Sequence, residues 1–171
     1  MFVLRRSALS IVAIFGVLGL SSGASAQKQV VGWIEKALVR PGDIRLDAKL
    51  DTGAGNTSLD ARIIGETNRN GRKVLKFVVE DGAGKSVTFE REQVGIEVVT
   101  SHSSGDEERP LVLLEICLGK DCRETLVNLA NRAGLKYPLL IGRSYMLDFV
   151  VVDPDNQYRV PPEQKGTRSL K

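Results

Sequence analysis

The chain has 171 residues, with 24 Lys and Arg against 21 Asp and Glu, and one histidine. This near balance of charge lacks the strong basic excess typical of nucleic-acid-binding domains, so we expect no nucleic-acid partner. The sequence also has no G-x-x-x-x-G-K-[ST] pattern, and it therefore gives no indication of a bound nucleotide.

The first 26 residues have the pattern of a secretory signal peptide. Arg5 and Arg6 form a short basic region, residues 8–20 are almost wholly apolar, and the segment ends in the A-x-A pattern Ala24-Ser25-Ala26. A membrane anchor is the alternative, but so short an apolar run cannot span a bilayer, which takes about 20 residues. We expect cleavage, no stable membrane insertion, and export across the inner membrane to a bacterial periplasm.

Residues 27–160 predict one domain built from many short strands, followed by a polar tail at 161–171 that we expect to be disordered. Short strands at this spacing are typical of a compact all-β barrel or sandwich. Only residues 128–135 and 143–147 have the pattern of helical turns, and residues 101–109 form a polar tip between two strands. The predicted strands are 30–34, 44–50, 74–79, 86–89, 96–100, 111–118, 124–129, 139–141 and 149–152.

The strand at 44–50 alternates apolar and polar residues and runs directly into Asp51-Thr52-Gly53-Ala54. A carboxylate on a glycine loop after a strand is held at a fixed angle within reach of water, which a general base requires. The same residue types are common in ordinary turns, so this segment alone leaves both interpretations open.

Cys117 and Cys122 are separated by four residues, with Gly119 and Lys120 suited to the centre of a hairpin turn. In an oxidising compartment this spacing predicts a hairpin disulfide, with free buried thiols as the alternative. Two cysteines and the single His102 make a poor zinc site, because zinc takes about four ligands, and we therefore predict no metal.

A second block, Tyr137-Pro138-Leu139-Leu140-Ile141-Gly142-Arg143, follows Asp51 by about 80 residues. Together the two blocks resemble the retropepsin-like aspartic proteases, and most closely a bacterial family labelled ATP-dependent zinc proteases, over residues 31–158. The resemblance implies an all-β closed barrel of short strands with one short helix after Gly142-Arg143. We expect no cofactor, because neither a zinc-ligand set nor a phosphate-binding loop is present.

The resemblance also implies a mechanism. Each chain of a homodimer would supply one Asp51, and the paired carboxylates would activate a water that hydrolyses an amide bond of a peptide or protein substrate. The polar tip would close over the bound peptide. The same resemblance assigns substrate-binding and loop-supporting roles to Thr52, Gly53, Ala54, Gly142 and Arg143.

The chain departs from the family pattern at two positions. Gly55 stands where retropepsins carry an aspartate that pairs with the arginine corresponding to Arg143, and Asp60 is a candidate substitute partner. Asp60 also replaces a histidine of the bacterial family. These changes keep open a catalytically inactive peptide-binding module of the same fold. A metal-dependent amidase using Asp51, His102 and residues 106–108 is a third hypothesis.

Overall fold

The computed structural model describes residues 27–101 and 105–161, so the predicted signal peptide, His102 and the predicted tail beyond Pro161 lie outside the described residues. No helix within those ranges is long and apolar enough to cross a membrane. The described chain forms β1 (Gln29–Arg40), β2 (Ile44–Leu50), β3 (Thr57–Asp60), β4 (Arg62–Arg69), β5 (Arg72–Glu80), β6 (Ser86–Glu92), β7 (Gly95–Ser101), β8 (Gly105–Leu118), β9 (Asp121–Ala130), β10 (Leu139–Ile141), α1 (Arg143–Met146) and β11 (Val150–Gln157).

Six strands close into a barrel in the order β1, β2, β10, β3, β9 and β8, and β8 pairs again with β1. The closing ladder runs antiparallel from Ala37 opposite Leu118 to Arg40 opposite Glu115. Strands β7 and β11 extend the same sheet outside the ring. The predicted all-β fold with one short helix after Gly142-Arg143 is confirmed.

The alternation seen in β2 places its apolar side chains inside the barrel. Ile44, Leu46 and Ala48 are at most 2 % exposed, and each such buried aliphatic side chain of the size of Leu or Ile contributes roughly 1.5–3 kcal/mol. Strand β10 runs parallel to β2, with Leu139 opposite Ala48 and Ile141 opposite Leu50. The two strands therefore end at the same edge of the barrel, which brings together the loops that follow them.

A separate three-stranded sheet, β4-β5-β6, lies between β3 and β7 in the sequence. Its inner face contributes Phe77 and Phe89 to the core, and their rings stack with centroids 5.3 Å apart. β5 and β6 contain the strands predicted at 74–79 and 86–89. Strand β4 was not predicted, because its mostly exposed sequence RIIGETNR has no period-two pattern.

Two sequence predictions differ from the structure. The helical turn predicted at 128–135 is wrong, because β9 continues to Ala130, where it pairs with Asp60 of β3. The polar tip predicted at 101–109 is shorter than expected, because the ladder of β7 and β8 extends to Ser101 opposite Gly105. Long-range pairing thus keeps polar residues in strands.

The β8–β9 hairpin carries a disulfide. Cys117 and Cys122 are direct partners across the ladder, and their Sγ atoms are bonded at 2.06 Å. Gly119 in the turn between them has a φ of 57°, a left-handed conformation that glycine adopts without strain.

The buried carboxylate of Glu35 ties the last described residues to β1. The residue has no exposed surface, and its Oε1 accepts hydrogen bonds from the backbone N–H groups of Gly32 at 2.6 Å and Arg159 at 2.9 Å. Its Oε2 accepts from the N–H of Val160 at 3.3 Å. A buried carboxylate is stable only when hydrogen-bonded, and these three donors supply its partners.

Replacing Glu35 therefore tests this connection. We expect Glu35→Ala to lower the free energy of unfolding by about 2–4 kcal/mol, because three N–H groups, two of them buried, lose their acceptor. Glu35→Gln keeps one acceptor oxygen and should cost about half as much. Urea denaturation of the three proteins measures the difference, and equal stability of Glu35→Ala and the parent protein would contradict the assignment.

Candidate active site

Asp51 stands at the edge where β2 and β10 end. Its backbone N–H donates to the carbonyl of Ile141 at 2.9 Å, which continues the parallel ladder by one residue. The chain then turns tightly, because the N–H of Ala54 donates to the carbonyl of Asp51 at 3.2 Å. The Asp51 side chain is 27 % exposed, so it is held by the loop and still reaches solvent.

Both carboxylate oxygens of Asp51 have partners. Oδ1 accepts from the N–H of Gly53 at 3.0 Å, and Oδ2 lies 3.3 Å from the Nζ of Lys49. Partial burial acts to raise the pKa of Asp51, but the Gly53 N–H, the Lys49 ammonium and the Ala54 N–H together hold this pKa below its ordinary value. In the single chain Asp51 is therefore a carboxylate near neutral pH.

The Gly142-Arg143 block supports this loop from behind. The N–H groups of Arg143 and Ser144 donate to the carbonyls of Ala54 and Gly55, each at 3.0 Å. Gly142 passes so close to Asn56 that a Cβ there would overlap the Asn56 carbonyl. The two sequence blocks are thus hydrogen-bonded and closely packed against each other, and together they hold the loop that carries Asp51.

Arg143 holds the loop through main-chain carbonyls. Its Nη1 donates to the carbonyl oxygens of Thr52 and Gly53, at 2.8 Å in both cases. The suggested ion pair with Asp60 is wrong, because Asp60 Oδ1 instead accepts from the backbone N–H of Arg132 at 2.7 Å. Arg143 therefore secures the loop without the carboxylate that Gly55 lacks.

The β7–β8 hairpin is joined to the loop region through Glu97. Its Oε1 accepts from Asn56 Nδ2 at 3.2 Å and its Oε2 from Asn128 Nδ2 at 2.7 Å. This connection fixes the base of the hairpin to β9 and to the segment after Asp51. The tip of the hairpin, where the sequence places a closing flap, lies outside the described residues.

Two arginines, Arg132 and Arg109, lie close enough to interact with each other, and Arg132 also interacts electrostatically with Asp51. Burial, together with the neighbouring Arg109, lowers the pKa of Arg132, and Asp60 and Asp51 oppose this effect. Arg132 Nε donates to the carbonyl of Tyr137 at 3.3 Å, and Arg109 Nη2 donates to Glu107 at 2.6 Å. We call Arg109 and Arg132 the basic wall; of the two, Arg132 is the one that interacts with the Asp51 carboxylate.

A groove of about 560 Å³ is lined by residues of β3, β4, β5, β8 and β9 and of the segment after β9. Its lining includes apolar Leu129 and Ala130 and acidic Glu107 and Glu108, and Asp51 is not part of it. A groove of this size with both apolar and polar lining can hold part of a peptide.

The predicted site residues fall into two groups. Thr52 and Gly53 are exposed on the loop, and Ala54, Gly142 and Arg143 join the two blocks. Within 27–101 and 105–161 no cluster of three His, Cys, Asp or Glu side chains could hold a metal.

Sequence reasoning missed Lys49, Glu97 and Arg132. Only Lys49 carried a signal, because residues two apart in a strand share a face.

Substitution of Gly142 tests the contact between the blocks. We expect Gly142→Ala to lower the free energy of unfolding by about 1–3 kcal/mol, since the added methyl must displace the Asn56 main chain. Gly55→Ala is the matched control, because a Cβ at Gly55 meets no atom within 4 Å. Thermal and urea unfolding measure both variants, and equal effects would contradict the close approach.

Known proteins resemble this chain in sequence and in structure. Probable alpha-L-glutamate ligases from Parasynechococcus marenigrum and Desulfotalea psychrophila are 29% and 25% identical to it over 67% and 64% of this chain. The chain spans only about a quarter of the length of these relatives, 25% and 24% respectively.

A solved structure and a family model complete the comparison. Lpg0085 from Legionella pneumophila, a DUF785 protein of unknown function, superposes with a TM-score of 0.67 at 38% identity, over 78% of this chain and 98% of that one. The model described as "Retropepsin-like aspartic endopeptidase RimB" matches residues 30–163. The chain therefore belongs to the RimB-like family of retropepsin-like aspartic endopeptidases.

Proposed function

We propose that the protein is an exported aspartic endopeptidase that hydrolyses peptide amide bonds with Asp51 residues paired across a homodimer. The observation that supports this most is the placement of Asp51 on a loop that three main-chain hydrogen bonds tie to β10 and α1, with its side chain still 27 % exposed. The family assignment supports the same chemistry.

The second carboxylate has to come from another chain. Asp51-Thr52-Gly53 occurs once in the sequence. The nearby acids have other partners, since Asp60 accepts from the main chain of Arg132 and Glu97 accepts from Asn56 and Asn128. The exposed loop residues Thr52 and Gly53 offer a surface on which a second copy of the loop can pack.

The reaction follows from two carboxyl groups that lie too close for both to ionise, so that they share one proton. The unprotonated Asp51 takes a proton from water as the water oxygen attacks the scissile carbonyl carbon, and the other Asp51 donates its proton to the carbonyl oxygen. Collapse of this tetrahedral intermediate breaks the C–N bond, and the amine leaves with a proton returned from the carboxyl pair.

Export is part of the proposal. The basic, apolar and A-x-A regions of residues 1–26 support secretion across the inner membrane to the periplasm. A disulfide between Cys117 and Cys122 is compatible with an oxidising compartment.

Asp51→Asn tests the catalytic proposal. We expect kcat/KM on a peptide library to fall by about 10³-fold or more, because the amide cannot act as a base. Asp148→Asn is the matched control, since the Asp148 side chain is 76 % exposed and its ion-pair partner is Lys28. Light scattering at the assay concentration should find a dimer. A monomer that binds peptides without cleaving them would instead favour the inactive peptide-binding module.

The basic wall favours substrates with acidic side chains. Arg132 interacts with Asp51 and lies near Arg109, and arginine pairs well with carboxylates through its planar fork of donors. The names of the glutamate ligases that resemble this chain also support a substrate that contains glutamate. We therefore propose that peptides with glutamate beside the cleaved bond are preferred.

Neutralising the wall tests this preference. We expect the double variant Arg109→Gln and Arg132→Gln to lose about tenfold in kcat/KM for glutamate-containing peptides relative to matched glutamine peptides, because charge-assisted hydrogen bonds are lost. Arg72→Gln, on the three-stranded sheet and 70 % exposed, is the control. Unchanged discrimination in the double variant would contradict the acidic preference.

A further inference from the structure

Lys49 holds the outward oxygen of the candidate catalytic carboxylate. Lys49 and Asp51 are two residues apart at the end of β2, and both side chains point away from the barrel interior, in which Ala48 and Leu50 are buried. The Lys49 Nζ lies 3.3 Å from Asp51 Oδ2, whereas Oδ1 is engaged by the N–H of Gly53. The ammonium therefore contacts the oxygen that the loop leaves open.

The other charged groups near Asp51 make hydrogen bonds to other partners. Arg143 donates to the carbonyls of Thr52 and Gly53, and Arg132 is engaged by Tyr137 and Ser58. From the hairpin, Glu97 is held by two asparagine amides, and Asp60 is held by a main-chain N–H. Among the described side chains, Lys49 is the cation that contacts the Asp51 carboxylate directly.

We propose that Lys49 is a positioning residue that fixes the protonation state of the Asp51 pair and thereby sets the pH range of peptide hydrolysis. This inference rests on the proposed function. In a two-fold dimer each Asp51 brings its own Lys49, so two ammonium groups flank a carboxyl pair that shares one proton.

The direction of the effect follows from charge. A nearby cation stabilises the carboxylate and lowers both apparent pKa values of the coupled pair. The singly protonated, active form then occupies a lower pH window than in a pair without Lys49. Removing the cation raises both values, so both limbs of the pH–rate profile move to higher pH.

The experiment compares Lys49→Met with Lys49→Arg, which keeps the charge, and with Lys36→Met. Lys36 is the control because it pairs with Asp47 at 2.6 Å on the same two strands, away from Asp51. The readouts are the NMR titration of the Asp51 carboxyl carbon and the pH profile of kcat/KM on a fixed peptide.

We expect Lys49→Met to move the Asp51 titration and both limbs of the profile upward by about one pH unit. Lys49→Arg and Lys36→Met should leave them within about 0.3 unit. An unmoved titration in Lys49→Met, or a change in KM alone with an unmoved profile, would overturn the role of Lys49.

The two proposals fail in distinguishable ways. If the Asp51 titration moves as expected but no peptide is hydrolysed by any variant, the proposed peptidase function fails while the control of Asp51 by Lys49 stands. Hydrolysis with an unmoved profile in Lys49→Met leaves the peptidase and removes the role of Lys49.

Discussion

The parallel pairing of β2 with β10 is the constraint on which the candidate site depends. These strands are separated by about 90 residues in the chain, yet the ladder from Leu139 opposite Ala48 to Ile141 opposite Leu50 makes them end together. The hydrogen bond from Asp51 to Ile141 carries the ladder into the loop. Because a slip of one residue would turn every side chain to the other face, this register also fixes where the Asp51 carboxylate points.

The surrounding contacts preserve that geometry in different ways. Arg143 donates hydrogen bonds to two main-chain carbonyls of the loop, so the loop is held in place although Gly55 supplies no carboxylate. Glu97 connects the loop region to the hairpin through Asn56. A preorganised carboxylate loses little entropy when it reacts, which is why a catalytic loop benefits from so many main-chain restraints. The arrangement therefore separates the rigid support of Asp51 from the charged side chains that adjust its chemistry.

Much of this organisation could be predicted from the sequence, and the limits have physical causes. A strand followed by a glycine turn drew attention to Asp51, and the resemblance of the two blocks to retropepsin-like proteases assigned roles to Asp51, Gly142 and Arg143. Glu97 and Arg132 were missed because their partners lie far away in the chain, and β4 was missed because an exposed strand has no alternation. The predicted pair of Arg143 with Asp60 was wrong for a related reason, since main-chain carbonyls are acceptors that no sequence pattern displays.

The hydrogen bonds of Glu35 hold Arg159 and Val160 against β1. This contact bears on how such a domain can be joined to other chains. Strand β1 pairs with β11 from Gln29 opposite Val150 onward, and Gln29 and Pro161 both lie beside Gly119. Entry and exit of the fold are therefore neighbours, beside the turn of the β8–β9 hairpin. A domain whose ends meet can be attached to a larger protein without disturbing its barrel. This possibility of attachment agrees with the observation that the relatives match this chain over only about a quarter of their own length.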